Sequence, residues 1–207
     1  MKKALIGIIL VAIAGFAIYK LAFDKGGNDG PKGAKQQPLA ISKNSSAFNE
    51  SFDRLLTGYF ELKDALVEYD TLKANAAARN VAGYADSLQT EQITGDSTGD
   101  IQKMAADYAA SISGSAKGLV GEGDLTKKKR EFQMISESLY ELVRTVRYDR
   151  KKLFHQHCPM AFNDDEEAYW ISDNNKVVNP YLGKKHPKYK DAMLGCGDIT
   201  DSLDYTR

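Results

Sequence analysis

Apolar residues recur at three- and four-residue intervals in four separated stretches of the chain. In the first, Phe48, Phe52, Leu55, Tyr59, Leu62 and Leu66 fall at steps of four, three, four, three and four, which sets them on one face of a helix beginning near Ser45 or Ser46. After Asp70, a capping residue by type, Ala74, Ala77, Val81, Tyr84 and Leu88 repeat the spacing. Residues 90–99 are rich in Gly, Ser, Thr and Asp and predict a loop closed by Asp100 as the next cap. Ile101, Ala105, Tyr108, Ile112, Ala116 and Leu119 form a third stripe, ended by Gly121-Glu122-Gly123. Phe132, Ile135, Leu139, Leu142 and Val146 form a fourth, within a helix predicted over 124–150. Four amphipathic helices with mostly short joints predict an up-and-down four-helix bundle. Met104 and Met134, on helical faces, read as core packing.

After Lys152 the helical period stops, and Pro159, Pro180 and Pro187 exclude a long regular helix. Residues 168–172 and 176–179 are short β-prone runs around Asp173-Asn174-Asn175, which predicts a hairpin in a small cap at the end of the bundle. The fold class is therefore mainly α, with a small C-terminal β-hairpin or loop cap.

At the other end, Met1-Lys2-Lys3 precedes an apolar run over 4–19, broken at Lys20 and resumed as Leu21-Ala22-Phe23. About twenty helical residues span a bilayer of about 30 Å, so residues 1–23 read as a signal anchor. A removed secretory signal is the other reading, with Ala12-Ile13-Ala14 as its cleavage site. Both send the remainder of the chain across a bacterial inner membrane, the two lysines staying inside. Residues 24–44 read as a flexible linker and 45–207 as the periplasmic domain, with its ligand motifs in 153–200.

Charge narrows the partners. Twenty-eight Lys and Arg balance twenty-eight Asp and Glu, which leaves no field of one sign to draw nucleic acid. Lys127-Lys128-Lys129-Arg130 reads as a solvated helix end, with docking to an acidic partner or lipid headgroups as the other reading. No Ser-His-Asp set, phosphate loop or HExxH pair is present, so neither an enzyme nor a small-molecule substrate is expected.

The soft donors are concentrated in two segments. His155-Gln156-His157-Cys158-Pro159-Met160 and Met193-Leu194-Gly195-Cys196-Gly197 hold both cysteines, two of five methionines and two of three histidines. Thiolate and thioether sulfurs match a polarisable ion such as Cu(I), and zinc sites rarely use a thioether, so the methionines point to copper. Two cysteines in an exported domain also read as a disulfide, Cys158 to Cys196, and the pair cannot be both at once.

Cys158-Pro159-Met160-Ala161, Tyr169-Trp170-Ile171-Ser172, Asn179-Pro180-Tyr181-Leu182-Gly183 and Met193-Leu194 with Cys196-Gly197 occur here in that order. With Ala65-Leu66-Val67, Arg130, Phe132 and Ser136, they make the chain resemble an uncharacterised exported bacterial family, domain of unknown function 3347, over about residues 48–200. Members occur alone behind an export signal or fused to periplasmic adaptor subunits of heavy-metal efflux pumps, which implies metal handling. The positions carried over are Cys158, Met160, Met193 and Cys196; His157 joins them by proximity alone. The expectation is a membrane-tethered periplasmic copper-binding module, partnered by the inner membrane and an efflux adaptor. Its alternative is a disulfide-stapled interaction domain without metal.

Overall fold

The computed structural model describes residues 44–206. Four helices come first: α1 (Ser46–Val67), α2 (Thr71–Asp86), α3 (Asp100–Gly121) and α4 (Leu125–Val146). Three strands come after them, β1 (Leu153–Phe162), β2 (Glu166–Ser172) and β3 (Asp198–Leu203). Among the described residues no helix is long and apolar enough to cross a membrane; the predicted anchor, and the linker up to residue 43, lie outside them. Asn44 already belongs to the fold, its side chain donating to Val146 O and its N–H to Asp149.

Caps fix three helix starts, those at Ser45 and Asp70 as expected. The side chains of Ser45, Asp70 and Asp124 accept from the backbone N–H of Phe48, Lys73 and Lys127, each worth about 1 kcal/mol. The α3 start differs. Asp96, not Asp100, does the capping, one carboxylate oxygen taking Gly99 N–H and the other Gln102 N–H.

Each helix packs on the next in the chain. Phe48, Phe52, Leu55, Tyr59, Leu62 and Leu66 of α1 are fully buried, as are Phe132, Ile135, Leu142 and Val146 of α4. The alanines of α2 let it lie close, with Ala74, Ala77, Ala78, Ala82 and Ala85 all buried. Large side chains join α1 to α4: Tyr59 stacks on Phe132 with centroids 5.2 Å apart, and its hydroxyl meets Ser136 Oγ at 2.8 Å. Met104 and Met134, expected in the core, are instead 42% and 52% exposed.

α4 stops at Val146, short of the expected 150, because Arg147 turns left-handed at φ 49°. That turn swings Tyr148 onto Phe52, centroids 4.7 Å apart, and brings its hydroxyl to Asp53. The chain thus closes over the start of α1 before it enters the sheet.

The sheet is antiparallel in the order β2-β1-β3. Its hairpin is not the predicted one: β1 and β2 are joined through Asn163 and Asp164, both at positive φ, which Asn and Asp tolerate better than other side chains. Residues 176–179 form no strand. The sheet lies along the flank of α4 and not at the bundle end, with Glu166 paired to Arg130 and, ten residues further along the helix, Tyr140 stacked on His155. The outer edge of β2 is closed by two phenols. Tyr59 Oη accepts Ile171 N–H and Tyr181 Oη donates to Tyr169 O, so backbone groups that would be orphaned are satisfied.

Candidate functional site

Alternation along β1 decides which side chains meet. Gln156 and Cys158 share one face, opposite Trp170 and Ala168 of β2 in register, while His155 and His157 take the other. Cys158 is fully buried. Cys196 arrives from a turn in which its N–H bonds to Met193 O at 2.9 Å, so Met193 and Cys196 flank one tight reversal. The two thiols stand 3.5 Å apart, both free.

Two residues hold the 193–197 turn in place. Asn179, fully buried, donates to Cys196 O and accepts from Tyr181 N–H and Leu182 N–H, while its own N–H bonds to Leu194 O. Its polar groups are thus used to knot the segment before the turn to the turn itself. Gly197, at φ 133°, lies so near β1 that a Cβ would fall 2.2 Å from His157 O. Neither role follows from periodicity; the available signal was an Asn before Pro, a residue type that bonds to backbone two positions on.

The surroundings of Cys196 favour its neutral thiol. Burial, and then the hydrogen bond to Cys158, push the Cys196 thiol up to about 11. Trp170, fully buried on the Cys158 face, has an indole N–H with no partner among the described residues, and its ring edge lies against Gly197.

The predicted site residues divide. Cys158 and Cys196 are brought together, and Met193 is placed beside Cys196 by the turn. Met160 lies in a stretch where the β1–β2 register is irregular, partly buried against the core. His157 is not brought to the thiols: its ring nitrogens meet Asp198 at 3.1 Å and Glu167 at 3.0 Å on the opposite face. His155 is also committed, stacked between Tyr140 and Tyr169 at 3.9 and 5.0 Å, and burial pushes its imidazole down to about 4. Among the described residues no group of three or more His, Cys, Asp or Glu side chains is arranged to hold a metal.

Of the basic run at the start of α4, Lys127 is exposed and Arg130 partly so, but the two residues between them do not form a solvated end. Lys128 is 2% exposed and donates to Asn75 Oδ1 and Leu119 O, both at 2.7 Å; Lys129 is 5% exposed. Arg130 spreads over the Phe162 ring at 3.7 Å while paired with Glu166. Lys128 and Lys129 stand four and three residues before Phe132, and so on its inward arc, which is the signal their charge obscures.

With the geometry in place, residues 55–151 match the model of one protein family. That family is DUF3347, described as a protein of unknown function. The DUF3347 match runs from within α1 to just past α4, over the helical body, and ends before β1. No curated protein and no solved structure matches the chain. The thiol pair lies beyond the DUF3347 match, so the chemistry assigned to it rests on its own geometry.

Proposed function

We propose that the chain is a soft-metal-binding module, in which the four helices, as an up-and-down bundle, carry a sheet whose Cys158 and Cys196 take one Cu(I) ion. The observation that carries this is the 3.5 Å separation of two free thiols whose backbone is fixed by Asn179 and Gly197. Preorganised donors lose less entropy on binding, and sulfur ligands select Cu(I) over harder ions. Met193 and Met160 are the further donors proposed, one set by the turn and the other two positions from Cys158. The ion is cargo and the reading involves no catalysis. The basic and apolar start of the chain and the family resemblance support a setting at the periplasmic face of an inner membrane, beside a heavy-metal efflux adaptor.

A second reading has its own support. Sulfurs this close need only a small movement to form a disulfide, and the raised Cys196 thiol suits a structural sulfur better than a reactive one. An anaerobic Cu(I) titration of reduced protein against a competing chelator separates the two. The metal reading expects one ion per chain, with about tenfold or greater loss in Met160→Leu and Met193→Leu, swaps that nearly conserve volume. Wild-type affinity in both Met variants, or no competition by the reduced chain, would leave the staple as the function of the pair.

A further inference from the structure

Away from the thiols, a cavity of about 530 Å³ opens where the first turns of α4, the β1–β2 turn and the segment after Tyr181 meet the joint between α1 and α2. Tyr69, Phe162 and Tyr181 supply its aromatic walls, and Thr126 and His186 also line it. Lys129 reaches into it, and its surroundings are unusual for an ammonium. Nζ donates to Tyr181 O at 2.5 Å and lies 3.9 Å from the centre of the Tyr69 ring, and neither neighbour carries a charge. The acids nearby are taken: Asp164 by Lys188 and Glu166 by Arg130. Burial alone pushes the amine down to about 7. A buried cation without a counter-charge is costly, and an ammonium has three donors, of which one is used by Tyr181 O and one is turned to a ring.

We propose that this cavity binds a small organic carboxylate, its anionic end paired with Lys129 and its apolar body lying against Tyr69 and Phe162. A single free ammonium suits one negative charge. Phosphate, more highly charged and more strongly hydrated, would need donors that are committed elsewhere, Lys188 among them. The walls favour a ligand with an apolar body over acetate alone. The inference is independent of the thiol pair, and it departs from the expectation that the chain takes no small molecule.

The groups facing Lys129 leave it as the one that switches near neutrality. Burial raises the phenols of Tyr69, to about 12, and Tyr181, so both stay neutral. His186 is lowered by burial and by Lys129 itself, and Asp164 and Lys188 hold each other charged. Carboxylate binding therefore strengthens as pH falls towards 7 and levels off below it.

The test is a titration of the full-length chain with benzoate, read by the NMR shifts of the Tyr69 ring, at about pH 6 and about pH 9, beside inorganic phosphate. The expected result is benzoate binding at the lower pH, weaker by about tenfold per pH unit once Lys129 has lost its proton, and phosphate weaker by about tenfold or more. Lys129→Met should weaken binding by at least about tenfold. Should that variant fail to fold, the wild-type pH profile decides. No shift with benzoate at about 10 mM, a flat pH profile, equal binding in Lys129→Met, or tighter binding of phosphate would each overturn the proposal.

Discussion

Between Ser45 and Val146 the fold rests on repeated apolar contacts, whereas between Leu153 and Leu203 residues such as Trp170, Ile171 and Tyr181 join the same core and one buried polar side chain, Asn179, sets the turn that carries Cys196. In the body, Phe48, Phe52, Tyr59 and Phe132 all contribute to one core, so the loss of any one is shared among its neighbours. In the C-terminal segment Asn179 alone ties Cys196, Tyr181 and Leu182 together. The difference teaches that damage to the body is global and graded, while damage to the segment is local and falls on the thiols.

The largest effect expected is in the body. Phe132, fully buried between Tyr59 and Tyr181, should cost about 3–5 kcal/mol as Phe132→Ala, with helices and sheet melting together in a denaturant series. Two separate transitions would break the comparison. Next comes Asn179→Ala, which orphans two N–H groups and a carbonyl and should cost about 1–3 kcal/mol. Its signature should be local: helical circular dichroism unchanged, and Cys196 alkylated many times faster than in the native chain. If the thiol stays as slow as before, the knot is not what holds it.

Two pH effects follow, and they share one sign, stability rising with pH in each. His155, lowered to about 4 by burial, is protonated more readily unfolded than folded, so its contribution is present above about pH 6.5 and is lost as pH falls towards 4. Lys129, lowered from 10.5 to about 7, also binds its proton more tightly unfolded, so the fold gains stability as pH rises from about 7 towards 10.5. Chemical denaturation across pH should show both slopes, the first absent in His155→Phe and the second in Lys129→Met. The smallest effect is Arg130→Ala, about 0.5–1 kcal/mol, because Arg130 and Glu166 are 38% and 46% exposed and part of the loss is the stacking on Phe162.

The helices were legible because burial imposes a period: every residue of the α1 and α4 stripes lies in the core. The caps Ser45 and Asp70 were legible by type and position, but Asp96 was not, since it reaches α3 from outside the usual cap position. β3 escaped because only Leu203 of that strand is buried, leaving no alternation to read. Charge misled at Lys128 and Lys129, where the helical period already placed both on the inner arc. Of the site, the thiols were legible by chemistry; that His157 faces away from Cys158 follows from strand alternation, and residues 153–162 carry no predicted strand.

The phenol of Tyr59 has a consequence in time. It meets Ile171 across 112 residues of chain, whereas the helices close most of their contacts with their nearest neighbours in sequence. Closing so long a loop carries a larger entropic cost than closing the joints between successive helices, so this contact is expected to form after those. The two sulfurs, set by that same sheet, are then brought together late. A chain stalled before docking would, under oxidising conditions, expose both cysteines to cross-linking between molecules.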